Sequence, residues 1–126
     1  MDHIDAICAI YRSLMSKKLN KAISNHGLSA IELLGSMIRI ARKERKLTVL
    51  ELADRAGISR GLIQRIEQGD PSCSIGAVFE VAVIVGVPLF EVDSKQLSQK
   101  LNQTNEKLAL LPKTIHKSRQ KVNDDF

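Results

Sequence analysis

Aromatic side chains are scarce: the chain has no tryptophan, one tyrosine and three phenylalanines. A core filled by rings is excluded, and Leu, Ile, Val and Ala must supply it, a composition that favours packed helices over sheets. Cysteine is nearly absent as well. Cys8 and Cys73 stand far apart with no Cys-x-x-Cys and no histidine cluster, so a disulfide framework and metal-ligand spacing are both missing, as in a reduced cytosolic chain. The opening Met1-Asp2-His3-Ile4-Asp5 has no basic segment followed by an apolar run, and the most apolar stretch, Val81 to Phe90, is too short to span a bilayer. A soluble, cytoplasmic protein without a membrane segment is expected. Catalytic constellations are missing too: there is no Gly-rich phosphate loop, and His3, His26 and His116 lie in different zones, with no nucleophile and base placed together. The chain is expected not to be an enzyme and to hold no metal or cofactor.

What is present is 126 residues with 44% hydrophobic content, enough for one compact domain with a core and something outside it. The formal net charge is +5, which suits a polyanionic partner because each Lys or Arg laid on a phosphate releases condensed counterions. That basicity is uneven. The stretch from Ser29 to Asp93 is close to neutral, whereas Lys95, Lys100, Lys107, Lys113, Lys117, Arg119 and Lys121 load the C-terminal end.

Three zones separate by pattern. In residues 1–27, Ile4, Ile7, Cys8, Tyr11, Leu14, Met15, Leu19, Ala22 and Ile23 recur at helical spacing, which predicts an amphipathic helix stopped by Asn25-His26-Gly27. Residues 29–93 form the second zone. Ser29 with Glu32 reads as a capping box for a helix to about Lys46, and Thr48 with Glu51 reads as a second box. Leu50, Leu52 and Ala53 are expected on the inward side of that second helix. Gly57 makes a turn, Ser59 caps a third helix through Gln68, and Gly69-Asp70-Pro71 ends it. A helix from Ser74 should carry Ile75, Val78, Phe79 and Ala82 inward, and a short one after Pro88 should hold Leu89, Phe90 and Val92. The third zone, 94–126, has a thin apolar line at Leu97, Leu101 and Leu108 and a basic end, the pattern of a partly helical, partly mobile tail.

The stretch from Leu50 to Gly69 is the demanding one: a helix, a tight turn at Gly57 and a second helix. Ala53 must be small where the helices cross, Gly57 must adopt positive φ, and Ile58, Ile63 and Ile66 must face inward. These residues resemble the Cro and phage-repressor class of helix-turn-helix proteins over roughly Leu34 to Val92. The resemblance implies an all-α, five-helix lambda-repressor-like bundle whose third helix, from Ser59 to Gln68, enters the DNA major groove. It places Arg60, Gly61, Gln64 and Arg65 at base-facing positions. Arg can pair with guanine O6 and N7 and Gln with adenine N6 and N7, while Gly61 would permit close backbone approach. An ordinary solvated helix face is the alternative reading of these side chains. Thr48 can present a hydroxyl to a phosphate or serve as a plain cap. Val49 departs from the class, which often carries Gln there. Arg42 and Glu67 match a pair of positions that the class joins by a buried ion pair.

The segment from Gly69 to Phe90 looks like the HipB-type subgroup, small antitoxins encoded beside HipA-like kinase toxins. That resemblance implies a homodimer that binds an inverted-repeat DNA operator, represses its own operon and holds a kinase toxin. A stand-alone regulator, or an interaction scaffold without DNA readout, remains the alternative. One recognition helix reads only a few base pairs, so two copies on two half-sites are needed for useful affinity. Leu89, Phe90 and Val92 are candidate pairing surfaces, as is the stripe from Ile4 to Ile23, which reads equally as a helix packed onto its own domain or as a dimer or toxin contact. The basic tail reads either as an arm following phosphates or as a solubilising end.

Overall fold

The computed structural model describes residues 22–117. The apolar stripe of residues 4–19, Cys8, and the last basic residues of the tail lie outside the described residues. Among the described residues there are five α-helices, a single 3-10 turn and no strand, the all-α architecture that the aromatic-poor composition predicts.

Helix α1 spans Asn25–Glu44. It begins earlier than expected, because Ser24, in extended conformation, accepts a hydrogen bond from the Gly27 amide at 3.1 Å. With that cap upstream, Gly27 falls in the first turn instead of stopping a helix, and Ser29 and Glu32 become interior residues rather than a capping box. The helix ends two residues short of Lys46, which sits at φ 58°.

Helix α2 spans Val49–Ala56 and carries the expected capping box: Thr48 Oγ1 accepts from the Glu51 amide at 3.0 Å, and Glu51 Oε1 accepts from the Thr48 amide at 2.9 Å. Gly57 follows in the left-handed region at φ 69°, where a Cβ would be strained. Helix α3, Arg60–Glu67, is capped by Ser59, whose Oγ accepts from the Leu62 amide at 3.1 Å. Helix α4 spans Ile75–Val85 under a Ser74 cap.

Ile38 of α1, Leu52 of α2, Ile63 of α3, and Val81 and Val85 of α4 are fully buried and form the centre of the core, with Ala53, Ile66, Ala82 and Val87 around them. Helices α1 and α2 each pack on both α3 and α4. Two residues expected inside are not: Leu50 and Ile75 are exposed. Each is the second or first residue of its helix, and the core-facing arc of α2 falls on Leu52 and Ala53, that of α4 on Val81, Ala82 and Val85.

The expected helix after Pro88 is a 3-10 turn, Leu89–Glu91, with Phe90 and Glu91 both at φ 58°. Left-handed backbone cannot propagate a right-handed helix. Leu89 packs partly on the core, but Phe90 is exposed.

Residues from Phe90 onward form a separate compact unit. Its helix α5, Ser94–Leu110, is the helical part of the tail, and it starts at a capping box that the sequence reading passed over. Asp93 Oδ1 accepts from the Gln96 amide at 2.7 Å, and Gln96 Oε1 accepts from the Asp93 amide at 3.2 Å.

Candidate nucleic-acid interface

The α2–turn–α3 unit is set by local chemistry at its ends and by packing along one side. A period of about 100° per residue separates the two faces of α3. Ile63 and Ile66 are buried and Leu62 packs partly against the core, while Arg60 and Gln64, one turn apart, are both exposed, with half-buried Gly61 beside them. A Cβ at Gly61 would meet only Ser59 Oγ at 3.9 Å, so glycine is not required there by the fold itself.

Arg65 is held differently. Its Nε donates to Asp70 Oδ2 at 3.0 Å and its Nη2 to Ser72 Oγ at 3.0 Å, while the Ser72 hydroxyl and amide both donate to Asp70 Oδ1, at 2.6 and 2.8 Å. This closed clasp ties the end of α3 to the loop that Gly69, at φ 77°, turns away from it. Reading a base through Arg65 would therefore compete with an intramolecular carboxylate, a competition that Arg60 does not share: among the described residues no hydrogen bond or ion pair engages its side chain.

Burial pushes the Asp70 carboxyl up, but the hydrogen bonds from Ser72 and Arg65 outweigh it and leave Asp70 below the usual carboxylate range. A carboxyl whose folded pKa is depressed stabilises the fold above its unfolded pKa, and that contribution is lost as pH falls through the folded value. The clasp is thus expected to weaken below about pH 4. Urea midpoints measured from pH 6 downward should fall more steeply for the parent than for Asp70→Asn; parallel profiles would remove Asp70 as a source of acid sensitivity.

Thr48 is exposed, but its amide and hydroxyl oxygen are already engaged with Glu51. The hydrogen bond from the Thr48 amide holds the Glu51 carboxyl below its ordinary range, so a phosphate approaching the α2 terminus meets a carboxylate beside the Thr48 hydroxyl. Val49 is half-buried and packs on the core, which gives the apolar residue at that position a structural role.

Behind α3, Arg42 and Glu67 form a bidentate pair: Nε to Oε2 at 2.7 Å and Nη2 to Oε1 at 3.0 Å, with Arg42 Nη1 donating to the Leu47 carbonyl at 2.9 Å. The Glu67 hydrogen bonds raise the Arg42 pKa against the opposing effect of burial. Gly35 was not singled out in the sequence. It sits where α1 crosses the last turn of α3, and a Cβ there would collide with the Ile66 carbonyl oxygen. Its only signal is a glycine inside an otherwise strong helical pattern.

An open apolar cavity of about 360 Å³ lies beside this crossing, lined by Ile31, Leu34, Ile66, Cys73, Val78 and Phe79 among others. Among the described residues Asp70 is the one carboxylate in its wall, and burial pushes the Cys73 thiol up, away from thiolate chemistry. Among the described residues no group of three or more His, Cys, Asp or Glu is placed to hold a metal, and no helix is long and apolar enough to cross a membrane.

A family model described as helix-turn-helix matches residues 38–92, which begins inside α1 and ends just past the 3-10 turn. Over 53 residues, 42% of this chain and 70% of the relative, the sequence is 40% identical to a Sinorhizobium fredii protein named "Uncharacterized HTH-type transcriptional regulator y4mF". No solved structure matches the chain significantly. The Thr48 box, the left-handed Gly57, the Ser59 cap and the matched span coincide, and the chain belongs to the helix-turn-helix family.

Proposed function

We propose that this chain is a sequence-specific DNA-binding transcriptional repressor that acts in the cytoplasm as a homodimer on an inverted-repeat operator. The observation that carries this reading is the exposed face of α3, where Arg60 and Gln64 stand clear of the core on a helix whose first turn is fixed by Ser59. Both side chains have the donor geometry for purine edges in the major groove. Ser59 and Thr48 supply hydroxyls for phosphates, and Gly61 leaves the backbone approachable. Arg65 serves first as the brace of the Asp70–Ser72 loop.

Within that role we place the chain as the antitoxin and autorepressor of a HipA-like kinase toxin. Support comes from the likeness of the Gly69 to Phe90 segment to HipB-type proteins, and the direct check is co-purification with a HipA-like kinase encoded beside its gene. A stand-alone regulator satisfies the same α3 geometry but predicts no such partner.

Fluorescence anisotropy against DNA upstream of its own gene, at two salt concentrations and beside unrelated DNA, tests the central reading. Arg60→Ala is expected to weaken binding to that DNA by about 1–3 kcal/mol, roughly fivefold to 150-fold, with a much smaller effect on unrelated DNA. Arg60 is the better probe than Arg65, because removing it breaks no hydrogen bond or ion pair among the described residues. Equal affinity for both DNAs in the parent would favour an interaction scaffold.

A further inference from the structure

Helix α5 presents an exposed apolar line. Leu97, Leu101 and Leu108 are 38%, 58% and 60% exposed, and together with Thr104 they recur at alternating steps of four and three; Leu111, 52% exposed at the extended C-cap, continues the spacing just past the helix. That is a seven-residue repeat, the seam of a left-handed helix pair rather than the wider face of a helix covering a globular core. Thr104 is the polar member of the line. Its hydroxyl already donates to the Lys100 carbonyl at 2.7 Å, so it can enter a dry seam without an unsatisfied donor.

The geometry points to a second copy of this chain as the occupant, with the two α5 helices side by side in parallel. The flanking charges fix the partner and the direction. Lys100 and Lys107 border the seam on one side, and Ser98 and Asn105 border it on the other. In a parallel pair each lysine faces the neutral side of the other helix. In an antiparallel pair Lys100 lies against the partner's Lys107, and the like charges meet twice.

The helix has 17 residues, about 25 Å and fewer than the three to four repeats that usually sustain a free coiled coil. Pairing is therefore weak in the free protein and strengthens when two copies occupy neighbouring half-sites, where the local concentration is high. This deepens the homodimer reading above by naming its surface, and it is tested without DNA, so its failure would leave the DNA reading standing.

The experiment is disulfide trapping of the full chain at high protein concentration under a mild oxidant, in a Cys8→Ser background. Leu101→Cys, on the seam, is expected to give covalent dimer at least about tenfold faster than Gln99→Cys on the opposite face, because a parallel pair brings each seam residue onto itself. Circular dichroism of both variants should match the parent. Equal trapping of the two, or none, overturns the pairing. Trapping that appears only when Leu97→Cys is mixed with Leu108→Cys overturns the parallel direction, since in a parallel pair those positions are about 16 Å apart along the axis.

Discussion

Replacing Glu67 with alanine is expected to destabilise the helix-turn-helix unit by about 3–5 kcal/mol. Arg42 and Glu67 are 8% and 7% exposed, so the guanidinium left behind keeps the Leu47 carbonyl as its partner while losing two charge-assisted bonds in a site that water reaches poorly. Domains of this size unfold at about 5–15 kcal/mol, so a large share of the stability goes with one side chain. The effect measures the isolated charge rather than the worth of the pair. Glu67→Gln, which keeps one acceptor, should lose less, and the double replacement Arg42→Met/Glu67→Leu should recover most of the loss by removing both charges together. Urea unfolding of the three variants separates these outcomes, and a Glu67→Ala protein with a parental midpoint would mean that the pair is solvated in solution.

Gly35→Ala is expected to be destabilising even though the same change raises helix propensity by up to about 1 kcal/mol. The new methyl would overlap the Ile66 carbonyl oxygen and lie 3.1 Å from that of Glu67. These are backbone atoms of a turn fixed by the Arg42 fork, so the strain cannot be relieved by rotating a side chain. A net loss of about 1–3 kcal/mol follows from overpacking at such a site. Gly76 is the control: nothing lies within 4 Å of a Cβ there, and Gly76→Ala should be neutral or slightly stabilising. Thermal midpoints of opposite sign for the two variants would establish Gly35 as the crossing point of α1 and α3; a rise for both would show that the helices can separate at no cost.

The parts of the fold legible in the sequence are those decided within three or four residues. Thr48 with Glu51, Ser59 before Arg60 and Gly57 each act on amides or angles next to them, and each of those helix ends falls where those residues place it. The start of α1 was not legible at Ser24, because Asn25-His26-Gly27 has the composition of a helix stop and only the capped amide of Gly27 decides the matter. Leu50 and Ile75 were misplaced because near a helix terminus the apolar arc is sampled too briefly to define its direction. Gly35 and the Asp70 clasp depend on elements meeting across a turn, which no spacing along the chain reports. For the candidate interface, the outward position of Arg60 and Gln64 follows from helical period alone. The engagement of Arg65 does not, since its partners lie beyond a left-handed glycine.

Three constraints described above fall on one end of the same helix: the Arg42 fork grips Glu67, Gly35 admits the carbonyls of Ile66 and Glu67, and the clasp takes Arg65. Helix α3 is thus clamped through its last turn and seated on Ile63, with Arg60, Gly61 and Gln64 on the side turned away from the core. A mutation on that side leaves the clamp and the seat intact, so the residues that would choose a DNA sequence can be exchanged at little cost to folding. Descendants of such a chain could drift to new operators on an unchanged mount, whereas those altered at the clamp would fail before any operator was tried.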